Sequence, residues 1–251
     1  MVVGGPNPIV IAGPCSVESG FVEQAILLGA TGIDALRAGV FKPRTRPESF
    51  QGLGAQAIPM LKEVRAATGL PLISEVLAPE EATLLDDFVD AYQVGARNMQ
   101  NFRLLESLGR LGRPVILKRG MGSTVEEWVA ASEYLRRSGN DDVILCERGI
   151  RTFEPSTRST LDLSSVLVAR EMTELPVIVD PSHAAGARRW VPPLALAALA
   201  VGADGILVEA HPDPDSAWSD AAQSIDLEAC RQLVQRAHAW PRPAGAEAAP
   251  A

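Results

Sequence analysis

Cysteine is scarce: the 251 residues hold three, at positions 15, 146 and 230. So few exclude a disulfide framework and point to a reducing compartment, the cytoplasm. Basic residues are outnumbered, 23 Lys and Arg against 31 Asp and Glu for a net charge of −8. That balance argues against a nucleic-acid surface. No apolar run approaches the roughly 20 residues of a membrane span, so no membrane contact is expected. The opening Met1-Val2-Val3-Gly4-Gly5-Pro6 lacks a basic segment followed by an apolar stretch, and no secretion signal is expected. What is present is 47% hydrophobic and 22% charged residues, enough for one sizeable core. The length suits a single α/β barrel, typically about 250 residues.

Eight short apolar runs punctuate the chain, near 8–12, 35–41, 71–76, 91–95, 114–117, 143–146, 176–179 and 205–208. Stretches of helical period separate them, for instance 125–135, introduced by Ser123-Thr124-Val125-Glu126 read as a capping box. Strand and helix in alternation predict a single (β/α)8 TIM barrel in preference to a doubly wound sheet. Pro114 and Pro176 fall at strand starts, where a missing N–H costs little. The barrel is expected over 1–240, without an added regulatory domain. The Pro- and Ala-rich tail 241–251 is expected to be disordered.

A barrel enzyme builds its site where strands end, at the carboxyl face. Arg37 lies within the second run and Lys42 directly after it, while Arg97, Lys118 and Arg148 follow the fourth, fifth and sixth. Surface salt bridges explain any one of these positions well. They explain cations on four of five successive strands badly. Phosphate and carboxylate groups are the natural partners of such a cluster, Arg offering forked N–H pairs and Lys a point charge. Arg44 and Thr45 lie just beyond, suited to a more distal phosphate, and Glu75 ends the third strand.

A second group of side chains could hold a metal. Cys15 follows strand one, His183 strand seven and Glu209 strand eight, with Asp220 in the loop after it. Strands seven, eight and one are neighbours in a closed barrel, so these residues can converge. A thiolate, an imidazole and two carboxylates suit one divalent ion such as Mn, Fe, Co or Zn. The competing reading makes Cys15 a packed core residue and His183 an ordinary loop residue. Cys146 and Cys230 are expected in the core, Trp128, Trp190 and Trp218 in packing roles, and Arg119 and Arg151 in ion pairs near the site. His211 stands either behind the metal ligands or as a plain loop histidine.

The motifs Gly13-Pro14-Cys15-Ser16, Lys42-Pro43-Arg44-Thr45, Gly95-Ala96-Arg97-Asn98, Leu117-Lys118-Arg119-Gly120, Cys146-Glu147-Arg148-Gly149 and Asp180-Pro181-Ser182-His183 carry a resemblance. Together they resemble the type I 3-deoxy-D-arabino-heptulosonate 7-phosphate (DAHP) synthases, of the subgroup close to 3-deoxy-D-manno-octulosonate 8-phosphate synthase. The resemblance runs from about residue 9 to 234. It implies condensation of phosphoenolpyruvate with erythrose 4-phosphate, releasing phosphate, at the entry of the shikimate pathway. It further implies Cys15, His183, Glu209 and Asp220 as metal ligands. Arg37, Lys42, Arg97, Lys118 and Arg148 would hold phosphoenolpyruvate, Arg44 and Thr45 the aldose phosphate, and Glu75 the water side of the reacting carbon. Lys42 and Glu75 would be the catalytic pair, Glu75 or a water held between the two stabilising the cation or managing the proton. A homodimer or homotetramer is expected, with room for a separate regulatory protein partner.

The chain departs from the family pattern at Arg46 and Glu48, where Ser and Tyr are frequent, at Met99 in place of Ala and at Ala221 in place of Gly. They leave the metal and phosphoenolpyruvate sites intact, but Arg46 and Glu48 lie directly beyond the aldose-phosphate grip. The same chemistry with a different aldose, as in the octulosonate branch or a secondary-metabolism variant, is therefore the alternative. The octulosonate branch carries Ala-Asn where this chain has Pro43-Arg44. A non-catalytic barrel would have lost a ligand or a catalytic cation, and none is missing. A generic metal-dependent aldolase or hydrolase leaves the cationic cluster unexplained.

Overall fold

A computed structural model describes residues 2–43, 46 and 48–241. Arg44, Thr45 and nearly all of the expected tail lie outside them. The expected alternation is present: β1 (Ile9–Gly13), β2 (Ala35–Arg37), β3 (Leu72–Glu75), β4 (Ala91–Val94), β5 (Val115–Lys118), β6 (Val143–Glu147), β7 (Val177–Val179) and β8 (Gly205–Glu209). The helices are α1 (Phe21–Gly29), α2 (Ile58–Thr68), α3 (Pro79–Leu85), α4 (Phe102–Leu111), α5 (Val125–Arg137), α6 (Ser164–Met172), α7 (Pro181–Ala185), α8 (Val191–Ala200) and α9 (Leu227–His238). Each strand pairs in parallel with the next, and β1 closes on β8 to complete a barrel. None of the helices among the described residues is long and apolar enough to cross a membrane.

Closure depends on residue size at the seam. Ile9 of β1 faces Gly205 of β8, and a Cβ on Gly205 would stand 2.6 Å from the Ile9 carbonyl oxygen. Strand side chains alternate between two cores. Ile9, Ile11, Ile73, Ile116, Ile144, Cys146, Ile178 and Leu207 fill the barrel interior. Val10, Leu36, Leu72, Val115, Leu145 and Val208 instead pack outward with the helices. The branched interior is the filling this architecture favours.

Three expectations need correction. The second strand stops at Arg37 instead of reaching residue 41. There the chain turns beneath the β1 loop: Val17 N donates to the Gly39 carbonyl at 2.8 Å, and a Cβ on Gly39 would lie 2.5 Å from the Cys15 carbonyl. Lys42 therefore stands on a loop, away from the strand end. The capping box is one residue later than expected, with Glu127 N donating to Thr124 Oγ1 at 3.1 Å and Thr124 N to Glu127 Oε2 at 2.9 Å. Trp128 is buried, but Trp218 is half exposed, edge-on to Phe50 with ring centroids 5.2 Å apart.

Candidate active site

The carboxyl ends of β7, β8 and β1 bring the expected metal ligands together. One donor atom each from Cys15, His183, Glu209 and Asp220 lies within 4.8 Å of the others. Cys15 Sγ donates to Asp220 Oδ2 at 2.8 Å and accepts from Lys42 Nζ at 2.8 Å. Burial, and then the charge of Glu209, push the thiol up to about 12, while Lys42 and Arg37 act the other way. Asp220 is the single non-glycine residue with a positive φ among the described residues, at 52°. A backbone held in that region stores strain, which concentrates at functional positions.

His183 is set by Asp180. This buried residue caps α7 by accepting His183 N at 3.0 Å, and its other oxygen takes His183 Nδ1 at 2.7 Å. The same oxygen receives Lys118 Nζ at 2.5 Å. Burial alone would raise the Asp180 pKa, but His183 and Lys118 hold it well below the usual carboxylate range. With Nδ1 committed, Nε2 faces Glu209 at 3.4 Å. A carboxylate behind the imidazole is the arrangement that metal-ligating histidines use. The donor set therefore fits a borderline divalent ion.

Beside this corner opens a cleft of about 480 Å³ whose lining includes Lys42, Glu75, Arg97, Lys118, Arg148, His183 and Asp220. Arg148 is 5% exposed, yet no carboxylate pairs with it among the described residues. Its donors reach only neutral oxygens: Ser159 Oγ at 2.9 Å, His183 O at 3.1 Å and Gly149 O at 3.3 Å. Burial lowers its pKa, with Asp180 opposing. Arg97 is exposed on the turn Ala96–Asn98 and also has no carboxylate partner among the described residues. Glu75 Oε2 stands 3.9 Å from Lys42 Nζ and accepts from Gln93 Nε2 at 3.4 Å.

Arg37 is placed differently. Its guanidinium meets Glu209 Oε1 at 2.8 Å with both side chains buried, beneath the cleft and outside its lining. Burial, the largest single influence, opposes its charge, but Glu209, Cys15, Asp180 and Glu75 together outweigh it and raise the pKa. Arg119 is ion-paired as expected, to Glu147 at 3.1 Å and Asp162 at 2.8 Å. Arg151 is exposed at the cleft mouth with no carboxylate partner among the described residues, contrary to expectation. Cys146 and Cys230 are core residues.

Sequence reasoning named the motif around Asp180 without seeing its role. The signal was there: Asp before Pro at a helix start is a capping pattern, and the histidine three residues on falls within reach. Arg158, which pairs with Asp220 at 3.1 Å and donates to Gln223 Oε1 at 2.7 Å, gave no such signal. It joins the site only through folding.

A closed parallel barrel with a thiol–imidazole–carboxylate corner suited to a metal, beside a cleft in which Arg97, Arg148 and Arg151 have no carboxylate partner among the described residues, defines a class: barrel enzymes that act on anionic substrates. The chain matches the DAHP synthetase I family over residues 1–239, and it belongs to that family. The phospho-2-dehydro-3-deoxyheptonate aldolase of Thermotoga maritima is 49% identical, the match covering 93% of this chain and 70% of that one. The 2-dehydro-3-deoxyphosphooctonate aldolase of Nitrosococcus oceani is 33% identical, over 90% of this chain and 87% of its own. The crystal structure of the Thermotoga enzyme superposes with a TM-score of 0.88 at 47% identity, covering 93% of this chain and 69% of that one. A truncated form of 3-deoxy-D-arabino-heptulosonate 7-phosphate synthase from Thermotoga maritima gives 0.82 at 43% identity, covering 93% and 86%. The activity that goes with this family is the condensation the motifs led us to expect.

Proposed function

We propose that the chain condenses phosphoenolpyruvate with erythrose 4-phosphate to DAHP and inorganic phosphate, with the roles the sequence suggested save that of Arg37. The observation that carries this reading is Arg148, a buried guanidinium in an open cleft with neutral partners only. A cation held so is complete only when an anion arrives. Lys118 and Arg97 line the same space, so the three together suit the phosphate of phosphoenolpyruvate. Lys42 is at hand for its carboxylate. Arg37 serves that substrate from below, by neutralising Glu209. Arg44 and Thr45, which lie outside the described residues, take the acceptor's phosphate.

Cys15, His183, Glu209 and Asp220 would hold a divalent ion, which would supply Lewis acidity where charge develops on the aldehyde oxygen. The chain's own residues do the rest. The enol carbon attacks the aldehyde, a carbon–carbon bond forms, and the second carbon of phosphoenolpyruvate becomes cationic. Glu75, within 3.9 Å of Lys42, holds the water that adds there and takes its proton. The resulting phosphate hemiketal collapses, its C–O bond breaking, and Arg148, Lys118 and Arg97 stabilise the charge of the departing phosphate. Three buried, free cysteines agree with a reducing cytoplasm as the place of work.

The octulosonate reading rests on the 33% identical relative, and the acceptor decides between them. Phosphate release by purified protein should be fastest with erythrose 4-phosphate among a panel of aldose phosphates. Faster turnover with arabinose 5-phosphate would transfer the assignment to the other branch.

A further inference from the structure

Glu18 is a buried carboxylate, 3% exposed, that neither lines the cleft nor belongs to the ligand cluster. Its oxygens are nevertheless fully engaged. Oε1 receives Gln24 Nε2 at 3.1 Å and His211 Nε2 at 2.9 Å, and Oε2 receives the Trp218 backbone N at 2.8 Å. His211 Nδ1 accepts from Asp213 N at 3.0 Å, so its proton resides on Nε2 and is donated to Glu18. Immediately beside Cys15 and Asp220, Ser16 Oγ and Ser219 Oγ meet at 2.9 Å.

The sequence positions give this network its meaning. Ser16 and Glu18 follow Cys15 by one and three positions, Trp218 and Ser219 directly precede Asp220, and His211 follows Glu209 by two positions. Three of the four ligand-bearing segments therefore meet on one carboxylate. Asp220 needs such support more than the others. It sits on the connection between β8 and α9, in a strained backbone conformation with φ 52°. Left to itself, a connection of this kind would sample many positions, and bringing a second carboxylate to Glu209 would oppose assembly of the cluster.

We propose that Glu18 and His211 are positioning residues of the metal centre, a clasp that sets the β1 loop against the β8 loop so that Cys15 and Asp220 are held at ligand spacing. The inference rests on the metal reading of the cluster. Glu18 touches no ligand atom; it acts through the backbone of the two segments that carry them, much as outer partners tune metal affinity elsewhere. His183 is served separately by Asp180.

The test is titration of chelator-treated protein with Co(II), read by the thiolate-to-cobalt absorption band and by competition with a chelator. Glu18→Gln keeps the shape but sets an amide N–H against donors. Its Co(II) affinity should fall roughly 10- to 100-fold, the range seen when such outer partners are removed. Phosphoenolpyruvate affinity measured without metal should stay at the wild-type value. His211→Gln can still donate to Glu18 and accept from Asp213 N, so it should retain affinity that His211→Ala loses. Asp90→Asn, which weakens the surface pair with Arg65 at 2.9 Å, controls for general destabilisation and should leave Co(II) binding unchanged. If Glu18→Gln fails to fold, Ser219→Ala carries the test with a loss of a few-fold. Wild-type affinity and band in Glu18→Gln, or an equal loss in Asp90→Asn, overturns the clasp alone. A wild-type protein without a thiolate band removes the metal reading and the clasp with it.

Discussion

Replacing Arg148 by Met should separate ligand affinity from stability. The guanidinium is buried and makes no direct ion pair with a carboxylate among the described residues, Asp180 acting on it only from a distance. Desolvating such a charge costs several kcal/mol. Hydrogen bonds from a charged donor return about 1.5–3 kcal/mol each, and Arg148 makes them to Ser159, His183 and Gly149. The two contributions roughly offset, so the shorter, apolar Met should leave the free protein's stability within about 1 kcal/mol, or about 2–4 °C in Tm at this size. Binding has no such cancellation. Removing one partner of a buried charged contact costs about 2–5 kcal/mol, which is roughly 30-fold to several thousandfold in Kd. Phosphoenolpyruvate at 100 times its wild-type Kd should stabilise the wild type by about 2.7 kcal/mol, and the variant by less than about 0.9 kcal/mol. Calorimetric titration and melting with and without ligand measure both quantities. Wild-type affinity in the variant would show that the anion sits elsewhere. A melting point lowered by tens of degrees without ligand would make Arg148 a structural residue.

Chelator treatment should abolish phosphate release, with Mn, Co or Zn restoring it to differing extents; Cys15→Ala should lose metal by elemental analysis yet stay folded, whereas Cys146→Ala and Cys230→Ala keep both metal and turnover. Gly95→Ala would set a Cβ 2.1 Å from Glu75 Oε1, driving that carboxylate into the cleft. Since a misplacement of about 1 Å can cost about 100-fold, kcat should fall by that order while Tm holds, and an unchanged kcat would dismiss Glu75 from the chemistry. Arg44→Ala should raise KM for erythrose 4-phosphate and leave phosphoenolpyruvate affinity alone; a matched loss of both would assign Arg44 to the first substrate.

Strand ends were legible because period and punctuation are local: Lys118 and Glu209 each close a short apolar run, and their convergence follows from barrel closure. What escaped was contact made at a distance. An apolar run cannot distinguish a strand from a buried turn, so the stretch after Arg37 read as sheet when it packs under Cys15. Nor can sequence show which cations face a ligand and which are satisfied from within. Arg37 and Arg148 follow the same pattern in the chain, yet one is joined to Glu209 and the other has only neutral partners. Glu18 and His211 are 193 residues apart, and no periodicity connects them.

The shared oxygen of Asp180, which receives both Lys118 Nζ and His183 Nδ1, bears on how such an enzyme diverges. A substitution that shifts Lys118 to suit another donor substrate also disturbs the histidine of the metal corner, so the two halves descend as one unit. Beyond Lys42, neither Arg46 nor Glu48 is tied to Asp180 among the described residues. New acceptor sugars can therefore be explored by drift at the rim, around Arg46 and Glu48, while the floor is inherited intact.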